Sequence, residues 1–414
     1  MTNWILLRTS KFRRSNLMRY VIIGSGVAGT TAAEHIRKLD RGGEITFLTD
    51  EAVPFYSRIR LIEYLAREAK EQDIIIHKGD WYEKNNIRLI LNAPVLEIDK
   101  DNKRVVTAGS GELAYDRLLI ATGGISFVPP IPGADKKGVF TLRTIRDADE
   151  IIAYAEGVKR VILIGGGVLG LEAGNSLRKT GHDVTVVEFF PRLLPRQMDP
   201  EGAGVLKAQM EGMGFRFYLG AKSKEITGDE GVKGLLLEDG TEIGGDLIII
   251  SAGVRPQADL CKRLGLTISK GVVVNDRMET EIKDIYAAGD LIEHRGMFYG
   301  IWPAARKQGE IAGVNMAGGD AVYEGTTMSN ILKVVGIDLA AAGDIDAEGK
   351  LESIVQKDEG TYIYRKLVIK DQVITGCILY GDISGYQKIL RAIDGKRDIQ
   401  DMRKDLEGWD LSGL

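Results

Sequence analysis

Apolar residues in this chain gather in short β-branched runs that stop at glycines, each run followed by a stretch of helical period. Tyr20–Ile23 is apolar on both faces, the pattern of a strand inside a parallel sheet, and residues 30–37 behind it carry helical spacing. Glu44–Leu48 predicts the next parallel strand and Ile62–Leu65 part of an amphipathic helix. Val95–Asp99, Arg104–Thr107 and Arg117–Ile120 alternate with turns, predicting an antiparallel insertion and a return to the main sheet. The opening pattern then repeats, with a buried strand at Val161–Ile164, a helix over Leu171–Lys179, a strand at Asp183–Val187 and another at Leu247–Ile250. A further helix opens near Pro303. From about Thr326 the rhythm changes to strands at 330–336, 362–369 and 373–379 and a helix over 384–393, the pattern of a small α+β domain.

The two repeated units carry the same glycine spacing. Gly24, Gly26 and Gly29 follow the first strand as G-x-G-x-x-G, and Gly165, Gly167 and Gly170 follow its counterpart. At this spacing one glycine permits the turn, the next lets backbone approach a pyrophosphate, and the last lets helix and strand pack closely. The amide groups and dipole of the helix that follows then meet the phosphate charge. About 20 residues on, an acidic residue is placed to accept from an adenosine ribose, either Asp50 or Glu51 in the first unit and Glu188 in the second. The expected class is α/β, with two Rossmann-like dinucleotide-binding domains and a C-terminal α+β domain. Expected boundaries are an extension over 1–17, a first domain over 18–126 and 257–322, a second over 127–256, and a third over 326–414.

Length and composition narrow the picture. The 414 residues suffice for two or three domains, and a net charge of −4 indicates no polybasic nucleic-acid surface. No apolar stretch is long enough to span a bilayer, which leaves no membrane role. Cys261 and Cys377 are the only cysteines, so neither a disulfide framework nor a cysteine zinc site is expected, and the compartment is expected to be reducing and cytoplasmic. His35, His77, His182 and His294 show no ligand spacing, and His294 is expected on a loop surface. No metal site is expected.

With Ala121-Thr122-Gly123 between the two units and Tyr286-Ala-Ala-Gly289-Asp290 after them, the chain resembles the pyridine nucleotide-disulfide oxidoreductases over residues 18–320. The resemblance implies FAD on the first unit, contacting Val27 and Ala28 with the glycines, and NAD(P)H on the second, with Val168 and Leu169. It places Asp290 at the ribityl-pyrophosphate region and the backbone of Trp302, Pro303 and Ala304 at the flavin pyrimidine. Val95 and Gly253 are further candidate cofactor contacts, and Glu172 matches the family's acidic residue beside the nicotinamide, with helix-dipole pairing as its alternative role. A helix starting at Pro303 would stabilise negative charge on a reduced ring. Glu188 favours NADH, because a carboxylate repels the NADPH 2′-phosphate.

Relatives that work through thiols carry a cysteine near residues 54–60, where this chain reads Pro-Phe-Tyr-Ser-Arg-Ile-Arg. Ser57 forms no thiolate, and both cysteines are expected to be buried small hydrophobes. The Tyr-Ser-Arg segment, Glu63-Tyr-Leu-Ala66, Arg192-Leu-Leu-Pro-Arg196 and Lys366-Leu-Val resemble the NADH:rubredoxin oxidoreductase and nitrite-reductase-associated flavoproteins. Arg58 and Arg143 match that branch's FAD-contacting arginines, and no iron–sulfur cysteine set accompanies them. The expected activity is hydride transfer from NADH to FAD, then electron transfer to a small redox protein of rubredoxin or ferredoxin type. The alternatives are an NADH oxidase, a nitrite-reductase electron-input subunit, or a flavin-binding sensor. Either a monomer or a homodimer is compatible with the sequence.

Overall fold

The computed structural model describes residues 17–414, so all of the expected extension but Leu17 lies outside the described residues. Strand β1 (Arg19–Ile23) is buried among parallel neighbours β2 (Glu44–Leu48) and β4 (Arg117–Ile120), with β3 (Ile87–Ile90) at one edge. Its other edge is a strand from far along the chain, β8 (Ile285–Ala287), beside β4. Helix α1 (Val27–Leu39) covers this sheet and buries Ala28, Ala32, Ala33 and Ile36. Three short strands, Val95–Asp99, Arg104–Thr107 and Gly111–Ala114, form the antiparallel insertion.

The second sheet repeats the design. Strand β5 (Arg160–Ile164) lies between β6 (Asp183–Glu188) and β7 (Leu247–Ile250), all parallel, with Arg216–Leu219 and Val139–Phe140 at its edges. Helices α2 (Val168–Lys179) and α3 (Pro200–Gly212) belong to this domain. A two-stranded antiparallel ribbon, Gly124–Ser126 against Val254–Pro256, joins the two domains where the chain crosses over and back.

Helix α4 (Asp259–Leu264) brings the chain back, and Cys261 on it is fully buried in the first domain's core. Helix α5 (Trp302–Met316) then packs Ile311 and Ala312 into the same core as α1. The C-terminal domain is an antiparallel sheet whose order is β9 (Ser329–Val334), β10 (Ile337–Gly343), β13 (Val373–Tyr380), β12 (Ile363–Lys370) and β11 (Glu352–Asp358). Helix α6 (Tyr386–Asp394) lies on it, burying Tyr386, Ile389 and Ala392. The sequence pattern marks three of these five strands; β10 and β11 are additions. Residues 335–336, expected to extend the first of them, form the turn between β9 and β10.

One expectation is overturned here. His294 is buried, not on a loop surface: it ends the short strand Ile292–His294 and its Nε2 lies 2.8 Å from Asp276 Oδ1. Arg295 bonds the same carboxylate at 2.6 Å, and Arg295 and His294 together hold Asp276 down at a pKa of about 2. That carboxylate allows the imidazole to be taken out of water.

Candidate dinucleotide-binding site

The first glycine loop is built for one purpose. Gly24 has φ of +102°, and a Cβ there would collide with the carbonyl oxygen of Ala121 on the neighbouring strand end. Gly26 is different, because a Cβ there meets nothing within 4 Å. It opens on empty space and is the N-cap of α1, contributes no capping side chain, and has no acidic residue in the turn after it. The first amides of α1 therefore lack a capping side chain and stand ready for an anion. Gly29 is a packing position, since a Cβ there would meet the Gly24 carbonyl.

That open space belongs to a cavity of about 1040 Å³. Gly24, Gly26, Val27 and Ala28 line it from the glycine loop, Asp50, Glu51 and Val95 from the strand ends, and Ala121, Thr122 and Gly123 from the end of β4. Arg58, Arg143, Gly289, Asp290, Trp302 and Pro303 line its far side. Ala304 is buried just behind this wall. Sequence reasoning thus brings most of its first-domain candidates to one place.

The cavity's charges are arranged around two guanidinium groups. Glu51 accepts from the Tyr56 hydroxyl and from Arg58, each at 2.5 Å, and Arg58 in turn donates to the carbonyl of Arg143 at 2.5 Å. Arg143 donates to the Gly124 carbonyl at 3.0 Å and lies 3.3 Å from Asp290. Burial, reinforced by the neighbouring Arg58 charge, pulls the Arg143 pKa down, so Asp290 leaves part of its positive charge uncompensated. Helix α5 points its start at the same space: Ile301, Trp302 and Pro303 line it, and α5 has neither a capping side chain nor an acidic residue in its first turn. Gln308 on α5 accepts from the Gly289 amide at 2.9 Å, tying that helix start to the Gly289–Asp290 turn. Trp302 is half-buried, its ring 6.1 Å from that of Phe55. Two uncapped helix starts, an undercompensated arginine and a cavity of this volume suit a dinucleotide with a fused aromatic ring, and the residues fit FAD.

The second glycine loop repeats the cradle. Gly165 has φ of +117°, Gly167 is the uncapped N-cap of α2, and Val168 and Leu169 open that helix with Gly170 packed against Gly165. Glu188 ends β6 buried, its carboxylate accepting from the amides of Gly166 at 2.5 Å and Phe190 at 2.7 Å. Gly253, with φ of +104°, precedes the ribbon that leads back to the first domain. Glu172 lies on the same helix. It is buried on α2 and accepts from the amide of Val335, in the turn between β9 and β10 of the C-terminal domain. Burial raises its pKa despite that hydrogen bond.

Several lining residues carry no sequence signal. Ile331, Leu332, Gln387 and Leu390 reach the cavity from the C-terminal domain, and Arg263 from α4. Neither cysteine lines it. Burial pushes both thiols up to about 12. Ser57 is buried and does not line the cavity. Among the described residues no cluster of metal-ligating side chains occurs and no helix is long and apolar enough to cross a membrane.

Residues 18–309 match the model of the family described as pyridine nucleotide-disulphide oxidoreductase. The chain belongs to this family. Residues 329–397 match a second model, the rubredoxin NAD+ reductase C-terminal domain. The chain is 38% identical over 386 residues to a nitrite reductase [NAD(P)H] of Bacillus subtilis, covering 93% of this chain and 48% of that protein, so it spans about half of that relative's length. It is 33% identical to an NADH-rubredoxin oxidoreductase of Clostridium acetobutylicum, covering 93% of this chain and 96% of that one. The crystal structure of NADH:rubredoxin oxidoreductase from the same organism superposes with a TM-score of 0.80 at 32% identity, over 96% of this chain and all of that one.

Proposed function

We propose that this protein takes hydride from NADH onto FAD and delivers electrons to a small redox protein such as rubredoxin, with no thiol between. The observation that carries the reading is the cavity itself, walled by the first glycine loop and the start of α5 and free of any sulfhydryl among its lining residues. Bound FAD would supply two-electron acceptance from a nicotinamide and stepwise release to an acceptor. The amides of α1 at Gly26 would hold the pyrophosphate and Glu51 or Asp50 the adenosine ribose, while Arg143 and Asp290 would fix the ribityl end. The start of α5 would face the pyrimidine edge with its positive dipole end. On the second loop, Gly167 would cradle the NADH pyrophosphate, and Glu188 would accept from the adenosine 2′-hydroxyl while repelling a 2′-phosphate. The protein's own work is orientation and electrostatics, because hydride transfer between two rings needs no protein acid or base.

The test is anaerobic mixing of FAD-loaded protein with NADH in a stopped-flow cell. The visible flavin band should bleach within the mixing experiment, and NADPH should bleach it at least about tenfold more slowly, matching the loss of one hydrogen bond to a charged group. A band that persists under NADH defeats the reading. The nitrite-reductase relative keeps a second reading open: delivery of electrons to a nitrite-reducing partner instead of rubredoxin, distinguished by turnover with each acceptor.

A further inference from the structure

The turn between β9 and β10 breaks a local rule. Val334 pairs with Ile337, which leaves Val335 and Gly336 as a two-residue hairpin loop. Both have left-handed φ, +57° and +84°. Such loops take asparagine, aspartate or glycine at the first position, because a β-branched side chain there crowds its own backbone. Valine at 335 is therefore strained, and strain of this kind persists only where the surroundings hold it. What holds it comes from another domain. Val335 is buried in the apolar core that also contains Leu171 and Leu177 of α2. Its amide, which has no carbonyl partner among the described residues, donates to the Glu172 carboxylate. Glu172 is only 7% exposed and forms no ion pair among the described residues. A buried carboxylate without a cation weakens the fold that contains it, so its presence at this turn points to a use. Strand β9 shows the use. Ile331 and Leu332, four and three residues before Val335, line the cavity, and Leu332 also packs against the core that holds Val335. The strand lies at the edge of its sheet with β10 as its one strand neighbour, so the sheet supports this stretch of cavity wall from one side only.

Resting on the assignment of FAD to that cavity, we infer that Glu172 is a positioning residue for the flavin: it clasps the Val335 turn and so fixes β9, with Ile331 and Leu332, against the cavity. The carboxylate touches no cofactor in this role and makes or breaks no covalent bond; it accepts one hydrogen bond from a backbone that would otherwise relax. Helix α2 begins at the second glycine loop, so the helix that would cradle NADH and the strand that would cover FAD meet at a single side chain.

The test follows release of FAD from the full FAD-loaded chain without NADH, as the rise of free-flavin fluorescence after dilution. Glu172→Leu removes the acceptor and should release FAD about tenfold faster, the scale of one hydrogen bond to a charged group. Glu172→Gln keeps an oxygen for the Val335 amide and should release FAD at close to the wild-type rate. Val335→Gly takes the left-handed turn without strain, so Glu172→Leu should matter several-fold less in that background. A lower melting temperature for Glu172→Leu with FAD release unchanged would mean a purely structural role and overturn the inference. So would a fall in NADH affinity with FAD release unchanged, which would assign the carboxylate to the nicotinamide. Should Glu172→Leu not fold, amide exchange in the unmodified protein decides. The Val335 amide should exchange as slowly as those of β10, and exchange within seconds would overturn the clasp. Protein that holds FAD but is not bleached by NADH defeats the proposed hydride transfer and leaves the positioning role standing; protein that takes up no FAD brings down both.

Discussion

Gly24 and Gly26 sit two residues apart and fail in opposite ways when replaced. Alanine at 24 takes a left-handed φ and drives its methyl group into the Ala121 carbonyl, so Gly24→Ala should cost about 3 kcal/mol or more in a denaturant melt. Alanine at 26 meets open space, so Gly26→Ala should fold with nearly unchanged stability and emerge depleted of FAD, as read from the absorbance of the purified protein. The spacing in the sequence says that both glycines matter; the structure separates the one that shapes the turn from the one that clears the cavity. Glu172, which the family resemblance puts beside the nicotinamide, also has a partner that no local pattern shows, the amide of Val335, 163 residues away. Burial raises its folded pKa above the ordinary 4.5, so the folded state binds more protons than the unfolded one there. Stability owed to this group is complete below pH 4.5 and is lost as pH rises through the raised value. In the absence of nucleotide, Glu172→Gln should therefore melt close to wild type in acid and above it at neutral pH.

At the scale of elements, the junction between α3 and β12 is the one most open to experiment. Asp199 caps α3, accepting from the Gly202 amide at 2.9 Å, and also accepts from the Tyr364 hydroxyl at 2.7 Å and from Lys366 at 3.0 Å. Both charged side chains of the pair are buried. Asp199→Asn keeps the cap and leaves the Lys366 ammonium with Asp346 alone, its carbonyl at 3.1 Å and its carboxylate at 4.0 Å, so the cost should fall below the roughly 3–5 kcal/mol of a fully unpaired buried charge; adding Lys366→Met should restore part of it, measured by chemical denaturation. The motifs behind both Rossmann domains were legible because each lies within about 30 residues, where strand, turn and helix follow one another. The C-terminal sheet was legible in part. Strand β13 is a nearly continuous apolar run and β12 carries Leu-Val-Ile after Arg-Lys, whereas β10 is broken by three alanines and β11 reads Glu-Ser-Ile-Val-Gln-Lys-Asp, a mostly exposed edge that resembles a loop. His294 was misread for a related reason. Nothing local announces the Asp276 carboxylate that permits its burial.

For the whole molecule, the cavity is the product of long-range closure. Its walls come from residues as far apart as Ile23 and Leu390, and no window of sequence reveals that α6 and β9 face the glycine loop. Family resemblance supplied the cofactor, physical periodicity supplied the domains, and only the assembled chain shows which side chains share a surface. The absence of sulfur from that cavity reaches into pharmacology. Arsenicals, mercurials and alkylating agents disable disulfide reductases by capturing a reactive thiolate, and here the two sulfhydryls are entombed and protonated at any physiological pH. On the proposed function, NADH should still bleach the FAD-loaded protein after treatment with such reagents.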